Sequence, residues 1–494
     1  MLFNSFEFIF LFLPIAVSIY FYLNKKKLVV LSKVWLVLSS LFYYSWWNVI
    51  YLPLMLSSII INYGIGLLLS CGHFKFNKKF VLFIGICINI GLLGYFKYAD
   101  FFISNINSLT KSNIPFLNIS FPLAISFFTF QQIAYIVDSY RKETSEFDFL
   151  NYALFVTFFP QLIAGPIVHH KEMMPQFGDI KNKIVKYKNQ ALGIFIFSIG
   201  LFKKVILADT FAAWATQGFD HLNILSLIEG WVVSLSYTFQ IYFDFSGYTD
   251  MAMGAALLFN IILPMNFNSP YKSLNIQEVW DRWHITLGRF LYRYIYIPLN
   301  KFMLRKVFMP FGLKRYMMLR TNLCLLLLFL ISGFWHGAGW TFIFWGFLHG
   351  AATITHRYWK STNFKMNKIL AWILTFNFIN FSLVFFRAVH FGDAIKVLKG
   401  MFGFNGIILP SKFINIFPSI TSEVVTFSTL PLKNVTSAVK YILLGFFIIL
   451  CLKNTVQLKE KFHPTWYTLL FTFVLFLYSI LHLTRITEFL YFNF

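Results

Sequence analysis

The sequence predicts an all-α polytopic integral membrane protein with about 11–13 membrane helices, some of them broken or re-entrant. Three observations carry this. Hydrophobic residues make up 58% of the 494 and charged residues only 12%, with a mean hydropathy of +0.66, too little charge for the surface of a soluble chain of this length. Apolar runs of about 20 residues, the length that crosses a bilayer, recur along the chain. Most Lys and Arg sit in short loops between those runs. The net charge of +23 therefore reads as cytoplasmic loops and contact with anionic lipid headgroups, not as nucleic-acid binding.

Unbroken runs cover 6–23, 28–47, 50–70, 80–98, 120–138, 191–208, 228–258, 369–388, 437–452 and 466–484. The first lacks a basic flank and a small-residue cleavage site, so it reads as a retained helix rather than a signal peptide. Lys25, Lys26 and Lys27 follow the first run, His73, Lys75, Lys78 and Lys79 the third, and Arg141 and Lys142 the fifth. This alternation puts the N-terminus outside. The connection 100–119, with Asp100 and Lys111, fits the outer side.

Two segments break the rhythm. Residues 149–168, FLNYALFVTFFPQLIAGPIV, hold Pro160, Gly165 and Pro166 between charged flanks and predict a re-entrant segment. Broken backbone at membrane depth is tolerated only when buried in protein or lining a water-filled cavity. Residues 331–350, ISGFWHGAGWTFIFWGFLHG, lie between basic stretches: Lys301, Arg305, Lys306, Lys314, Arg315 and Arg320 before, Arg357, Lys360, Lys365 and Lys368 after. They predict a hairpin of two short helices with the break at or near His336. Between these segments, 273–299 sets Trp280, Trp283, Leu287 and Leu291 at helical spacing with Arg282, Arg289 and Arg293 among them. That pattern predicts a basic amphipathic helix at the membrane interface, bending at Pro298. The chain reads as a single membrane domain, 1–494, in three consecutive parts: N-terminal helices 1–119, a core 120–390, and an outer loop with C-terminal helices 391–494.

His336 is the first residue that could do chemistry. A histidine on an apolar helix is commonly a hydrogen-bonded core residue, but ionisable groups at membrane depth are costly and mark functional sites. Gly333, Gly337 and Gly339 permit close approach of backbone or ligand, and Phe334, Trp335 and Trp340 would wall a low-dielectric pocket that keeps imidazole neutral and available as a base. His349, farther along the second helix, reads as structural. His284 in WDRWHITL is either an interfacial side chain snorkelling beside Trp and Arg, or a cytoplasmic-side residue positioning a charged donor, with Arg282 and Arg289 as phosphate contacts. In YFDFSGYTDMAMG, residues 242–254, Asp244 and Asp250 with Ser246 and Thr249 read first as polar glue between helices that Gly247 and Gly254 let approach. The alternative is a proton relay or cation site. Asp138 and Arg387 are single ionisable residues near span ends. His169-His170 followed by Glu172 has the residue types of a metal site, but its lysine-rich loop offers no fourth ligand, so no metal is expected. The four cysteines, Cys71, Cys87, Cys324 and Cys451, show no C-x-x-C spacing and imply neither a disulfide framework nor zinc. Nucleotide-binding and hydrolase motifs are missing, and no connection is long enough to hold a soluble enzyme domain.

MLFNSFEFIFLFLP at the start, FFPQLIAGPIV at 158–168, YFDFSGYTDMAMG, WDRWHITLGRFLYRYIYIPL, SGFWHGAGWTFIFWG, VFFRA at 384–388 and FLYFNF at the end follow one another over nearly the whole chain. As a set they resemble the membrane-bound O-acyltransferase (MBOAT) family, more narrowly its bacterial members of alginate and peptidoglycan O-acetylation. The D-alanyl transfer protein of teichoic acid synthesis is a more distant likeness. The resemblance implies an MBOAT-like catalytic core with a central funnel or tunnel, His336 inside it as the motif histidine, and His284 as the family's second histidine. Trp335, Trp283, Arg282, Arg289, Asp244 and Ser246 are then candidates for binding the donor or lining the tunnel. It further implies no bound cofactor, acetyl-CoA as co-substrate, and a location in the bacterial inner membrane. A separate periplasmic partner transferase of the SGNH kind would place acetyl on an envelope polysaccharide. Peptidoglycan is the favoured acceptor and alginate or another exopolysaccharide the alternative. Two readings of other kinds compete: a transporter or flippase without acyl transfer, in which Asp244 and Asp250 couple ions, and an envelope scaffold in which His336 is packing.

Overall fold

The computed structural model describes residues 1–70, 77–144, 148–309, 316–362, 364–410, 425–428, 430–483 and 489–490. Cys71, His73, Lys75, Lys314, Arg315 and the last four residues of the terminal FLYFNF motif lie outside them. Among the described residues the fold is helical, as the composition predicts, with one small addition: two short parallel strands, Ile407–Pro410 and Val425–Ser428. Among the described residues six helices are long and apolar enough to cross a membrane: Glu7–Lys25, Val49–Ser70, Lys78–Thr110, Tyr187–His221, Met317–His336 and Lys368–Arg387. Val29–Ser45, Val435–Cys451 and Trp466–Leu481 are apolar but shorter.

The chain forms two compact units interleaved along the sequence. The first unit comprises Met1–Phe202, Gly247–Met265 and Lys459–Phe494. Its centre is aromatic: Phe3 lies 4.9 Å from Tyr248, and Phe12 meets Phe159 edge-on at 5.1 Å. Buried amides add directional bonds. Asn89 donates to Asn62 Oδ1 at 2.6 Å, and Gln132 donates to Ser58 Oγ at 3.0 Å, the kind of contact that sets helix register where lipid supplies no hydrophobic driving force. Glycines permit one backbone-to-backbone seam. A Cβ on Gly193 would stand 2.8 Å from the Gly254 carbonyl oxygen, and one on Gly200 would stand 2.6 Å from that of Gly247. The equal seven-residue spacing of the two pairs matches two turns of helix, as the glycines of YFDFSGYTDMAMG predict. The segment 149–168 is broken where Pro160 and Gly165 predict. A helix Phe149–Thr157 is followed by a single turn, Phe159–Leu162, and an irregular stretch up to His170. Every residue from 151 to 168 is buried, which satisfies the condition for broken backbone at depth.

The second unit comprises Lys203–Ser246 and Asn266–Leu458. The hairpin around His336 is longer than the flanking basic residues suggest. Its arms are Met317–His336 and Trp340–Ser361, so the helices run on into the basic flanks and carry Arg320, Arg357 and Lys360 on their ends. Glycine sets their closeness: a Cβ on Gly333 would stand 2.3 Å from the Phe342 carbonyl oxygen, and one on Gly346 2.3 Å from that of Phe329. Other lengths also differ from the sequence reading. The run 80–98 continues as helix to Thr110, after which the Asp100 carboxylate accepts the backbone N–H groups of Leu117 and Asn118 and folds the loop back. The run 191–208 belongs to a continuous helical stretch from Tyr187 to His221 that passes through π turns at Lys203–Ala208 and Gln217–His221. The region 391–436 carries a helix, Phe391–Met401, as well as the strands. The buried Glu229 carboxylate accepts from Ser226 N–H, Ser226 Oγ and Leu432 N–H, tying the start of the long helix Leu227–Leu257 to the chain two hundred residues on.

Candidate active site

His336 is the last residue of its helix, where Gly337 turns to extended backbone and Gly339 opens the next helix. The break therefore presents this side chain at the hairpin's turn, and the second unit closes over it, leaving 3% of the residue exposed. Its ring meets Trp335 at 4.9 Å, Trp345 at 5.3 Å and Phe386 at 5.1 Å, all steeply inclined to it. Trp335 is in the wall as the sequence predicts. Trp340 is not: it is 58% exposed, and Trp345 and Phe386 take the place assigned to it. Neither was legible, because one lies five residues beyond Trp340 and the other on a different helix.

The stretch 273–299 is not one amphipathic helix. It breaks after Ile276–Arg282, passes through Trp283 and His284, and resumes at Ile285. His284 sits in the left-handed region, φ 44° and ψ 49°, a conformation that costs a non-glycine residue of order 1 kcal/mol and persists only when its surroundings impose it. It is also 1% exposed, so it does not snorkel at an interface. The imposed surroundings centre on Asn266. Its backbone carbonyl accepts from Ile285 N–H at 3.0 Å, and its Oδ1 accepts from Thr286 N–H at 3.2 Å, Thr286 Oγ at 2.9 Å and His284 Nδ1 at 3.1 Å. A backbone N–H can only donate, so the Asn266 atom facing Thr286 is the oxygen. His284 Nδ1 must then carry the proton, which leaves the lone pair on Nε2. Past Pro298 the helix does not stop; a π turn at Tyr292–Tyr296 precedes it and absorbs the missing N–H.

One ring joins the two histidines. Trp335 lies 4.9 Å from His336 and 6.5 Å from His284, and Phe245 covers the other side of His284 at 4.8 Å. A neutral imidazole with an assigned lone pair, a second imidazole across a tryptophan, and aromatic walls form a site suited to moving one proton in a low dielectric. His349 lies beyond Trp345, at 4.5 Å, and bonds Ser382 Oγ at 3.1 Å, a packing role in line with the sequence reading.

The remaining candidates divide. Trp283 packs on Phe267 at 5.1 Å and Tyr271 at 5.9 Å, beside the His284 turn. Arg282 is engaged by Glu278 at 2.7 Å, which competes with any phosphate; Arg289 is on an exposed face. Asp244 is in a buried ion cluster, with Lys204 Nζ 2.7 Å from it and 3.0 Å from Asp209. No local signature in the sequence marks that pairing. Ser246 is buried. Asp244 and Asp250 stand about 120° apart around one helix, so they do not converge on one cation. Arg387 pairs with Asp220 and lies over the Phe219 ring. An open cavity of about 530 Å³ has neither His284 nor His336 in its lining, which includes Asp281, His356, Trp359, Lys360 and Lys365, with charges of both signs.

Asn266 is a positioning residue that sequence reasoning missed. Asn266→Ala should cut acyl transfer by roughly 5–150-fold, the kinetic equivalent of about 1–3 kcal/mol for a lost buried acceptor. Asn266→Asp, which keeps the acceptor, should stay nearer wild type. Turnover of both variants, compared with their unfolding temperatures, separates loss of the His284 tautomer from loss of the fold.

The model of the membrane-bound O-acyltransferase family matches residues 1–392. The chain is 48% identical to a peptidoglycan O-acetyltransferase of Helicobacter pylori, over all of this chain and 98% of that protein. It is 36% identical to a probable alginate O-acetylase of Pseudomonas aeruginosa, over 82% of this chain and 75% of the relative. A teichoic acid D-alanyltransferase of Bacillus subtilis is 27% identical over 54% of this chain and 69% of its own length.

Proposed function

Because this chain belongs to the membrane-bound O-acyltransferase family and is a multi-pass membrane acyltransferase, we propose that it carries acetyl groups from a cytoplasmic donor to the outside for O-acetylation of peptidoglycan. The observation that carries the chemistry is the pair of buried imidazoles in contact with Trp335. Similarity over the full length to a protein named for peptidoglycan supports that acceptor. Acetyl-CoA is the donor and the bacterial inner membrane the location in this reading. A periplasmic SGNH-type transferase receives the acetyl group and places it on the glycan.

In the reaction, His336 takes the proton of the attacking hydroxyl as its oxygen bonds to the thioester carbonyl carbon. The carbon–sulfur bond breaks and the proton passes from imidazolium to the departing thiolate. His284 Nε2 accepts a hydrogen bond from the donor and holds the thioester in line. A two-step route through acetyl-histidine gives the same products. No bound cofactor takes part.

The acceptor is tested on cells lacking this chain. Base-released acetate from purified peptidoglycan should fall to background and return when the chain is restored. Acetate lost from exopolysaccharide instead, with the wall unchanged, would move the acceptor to the alginate-like branch.

A further inference from the structure

We propose that Asp138, His169 and His170 form a binding site for one divalent transition-metal ion of the zinc class. Asp138 lies near the end of the helix Ile125–Tyr140, while His169 and His170 stand where the broken segment 149–168 leads into the helix His170–Gly178. The two parts are 31 residues apart in sequence, and the fold gathers one ligand atom from each residue to within 4.8 Å of the others. The sequence offered Glu172 as the third partner of the two histidines; the structure supplies the buried Asp138 instead.

The three ligand atoms are close enough to share one ion after a small adjustment. His169 Nε2 is 2.6 Å from Asp138 Oδ2, and His170 Nδ1 is 3.6 Å from the same oxygen. Ligand atoms around a zinc-sized ion lie about 3.0–3.5 Å apart, so the second distance fits and the first must open by under about 1 Å. In the structure as it stands, a proton holds that first pair together. His169 Nδ1 accepts the Lys171 N–H at 3.3 Å, which puts the proton on Nε2, toward Asp138. A metal ion displaces that proton and shifts it to Nδ1, at the cost of one long hydrogen bond.

His170 supplies the independent observation. It is 2% exposed, and its ring nitrogens face only Asp138 Oδ2, 3.6 Å from Nδ1, and the Glu143 backbone, neither in good hydrogen-bond geometry. A buried imidazole without a well-formed hydrogen bond is costly, and a metal ion bound at Nδ1 would offset that cost. Tyr135 and Phe155 pack edge-on at 6.3 and 6.4 Å, an apolar shell of the kind that strengthens metal–ligand bonds. The charges facing the site are Arg141, 3.9 Å from Asp138 Oδ1, and the Lys171–Glu143 pair at 3.1 Å. Two imidazoles and one carboxylate select zinc, cobalt, nickel or ferrous ions over calcium and magnesium, with water completing the coordination. The ion would staple the end of one helix to the exit of the broken segment, where backbone hydrogen bonding is sparse.

The test uses the full chain in lipid discs, stripped with a chelator and reloaded with Zn(II), then with Co(II) as a spectroscopic probe. One zinc per chain, Co(II) d–d absorption with histidine character and a raised unfolding temperature are expected. His170→Ala should lose all three, while His463→Ala, away from the cluster, should keep them. Should His170→Ala fail to fold, the near-isosteric Asp138→Asn carries the same expectation. Less than one zinc per wild-type chain, or uptake unchanged in Asp138→Asn, overturns the site.

Discussion

His336→Ala should reduce acyl transfer by about 10²–10⁴-fold, the usual contribution of a positioned general base, while protein levels and unfolding temperature stay near wild type. The reasoning starts from the turn. His336 closes a helix whose next residue is extended, so its backbone makes few demands on the side chain. Its ring touches three aromatic side chains, and alanine would leave a cavity among them rather than an unpaired charge. The stability loss should therefore be modest beside the kinetic loss. The measurement is CoA thiol release from acetyl-CoA by the chain in lipid discs, with a competent hydroxyl acceptor or partner present. His349→Gln provides the comparison, because it removes a buried histidine bonded to Ser382 on the same hairpin and should leave turnover within a few-fold. Equal turnover by His336→Ala and wild type would make His336 packing and remove the proposed mechanism. If both histidine variants were equally inactive, the loss would lie in the hairpin rather than in one imidazole.

The parts of the fold and of the candidate site that the sequence revealed are those with a local signature. Glycine and tryptophan around His336 announce a break in an apolar run, and Pro160 with Gly165 announces the buried irregular segment. The glycine seam of Gly193, Gly200, Gly247 and Gly254 follows from spacing alone. Features made by distant partners left no such mark. Trp280, Trp283, Leu287 and Leu291 keep helical spacing whether or not the chain is broken at His284, because spacing reports which face is apolar, not whether each φ is negative. The residue that imposes the break, Asn266, sits 18 positions upstream in a loop among other polar residues. The Asp138–His169–His170 cluster was half visible, as two adjacent histidines, and its third member is on a separate helix.

Lys204→Met should destabilise the chain by about 3–5 kcal/mol, the cost of removing one partner from a buried ion cluster. Lys204 is 2% exposed, and its ammonium bridges Asp244 at 2.7 Å and Asp209 at 3.0 Å. The geometry depends on the π turn at Lys203–Ala208, whose i→i+5 register brings Lys204 toward Asp209, five residues on, along the same helical stretch. Methionine matches the lysine stem in volume, so packing is nearly conserved and the lost charge dominates. Two carboxylates would then face an apolar interior without their shared cation. Adding Asp244→Asn to Lys204→Met should restore a large part of the lost stability, because the double variant no longer buries that unpaired charge. The pair is read as a thermodynamic cycle, from unfolding temperatures and folded yield in detergent. The same cycle tests function. If Asp244 serves the fold, Asp244→Asn with Lys204→Met should retain transfer in proportion to folded protein. If Asp244 instead drives an ion-coupled step, as in the transporter reading, the double variant would fold and still be inactive. An unstable single variant, a recovered double variant and intact turnover together would assign this cluster to holding the helices, leaving the chemistry to the two histidines on Trp335.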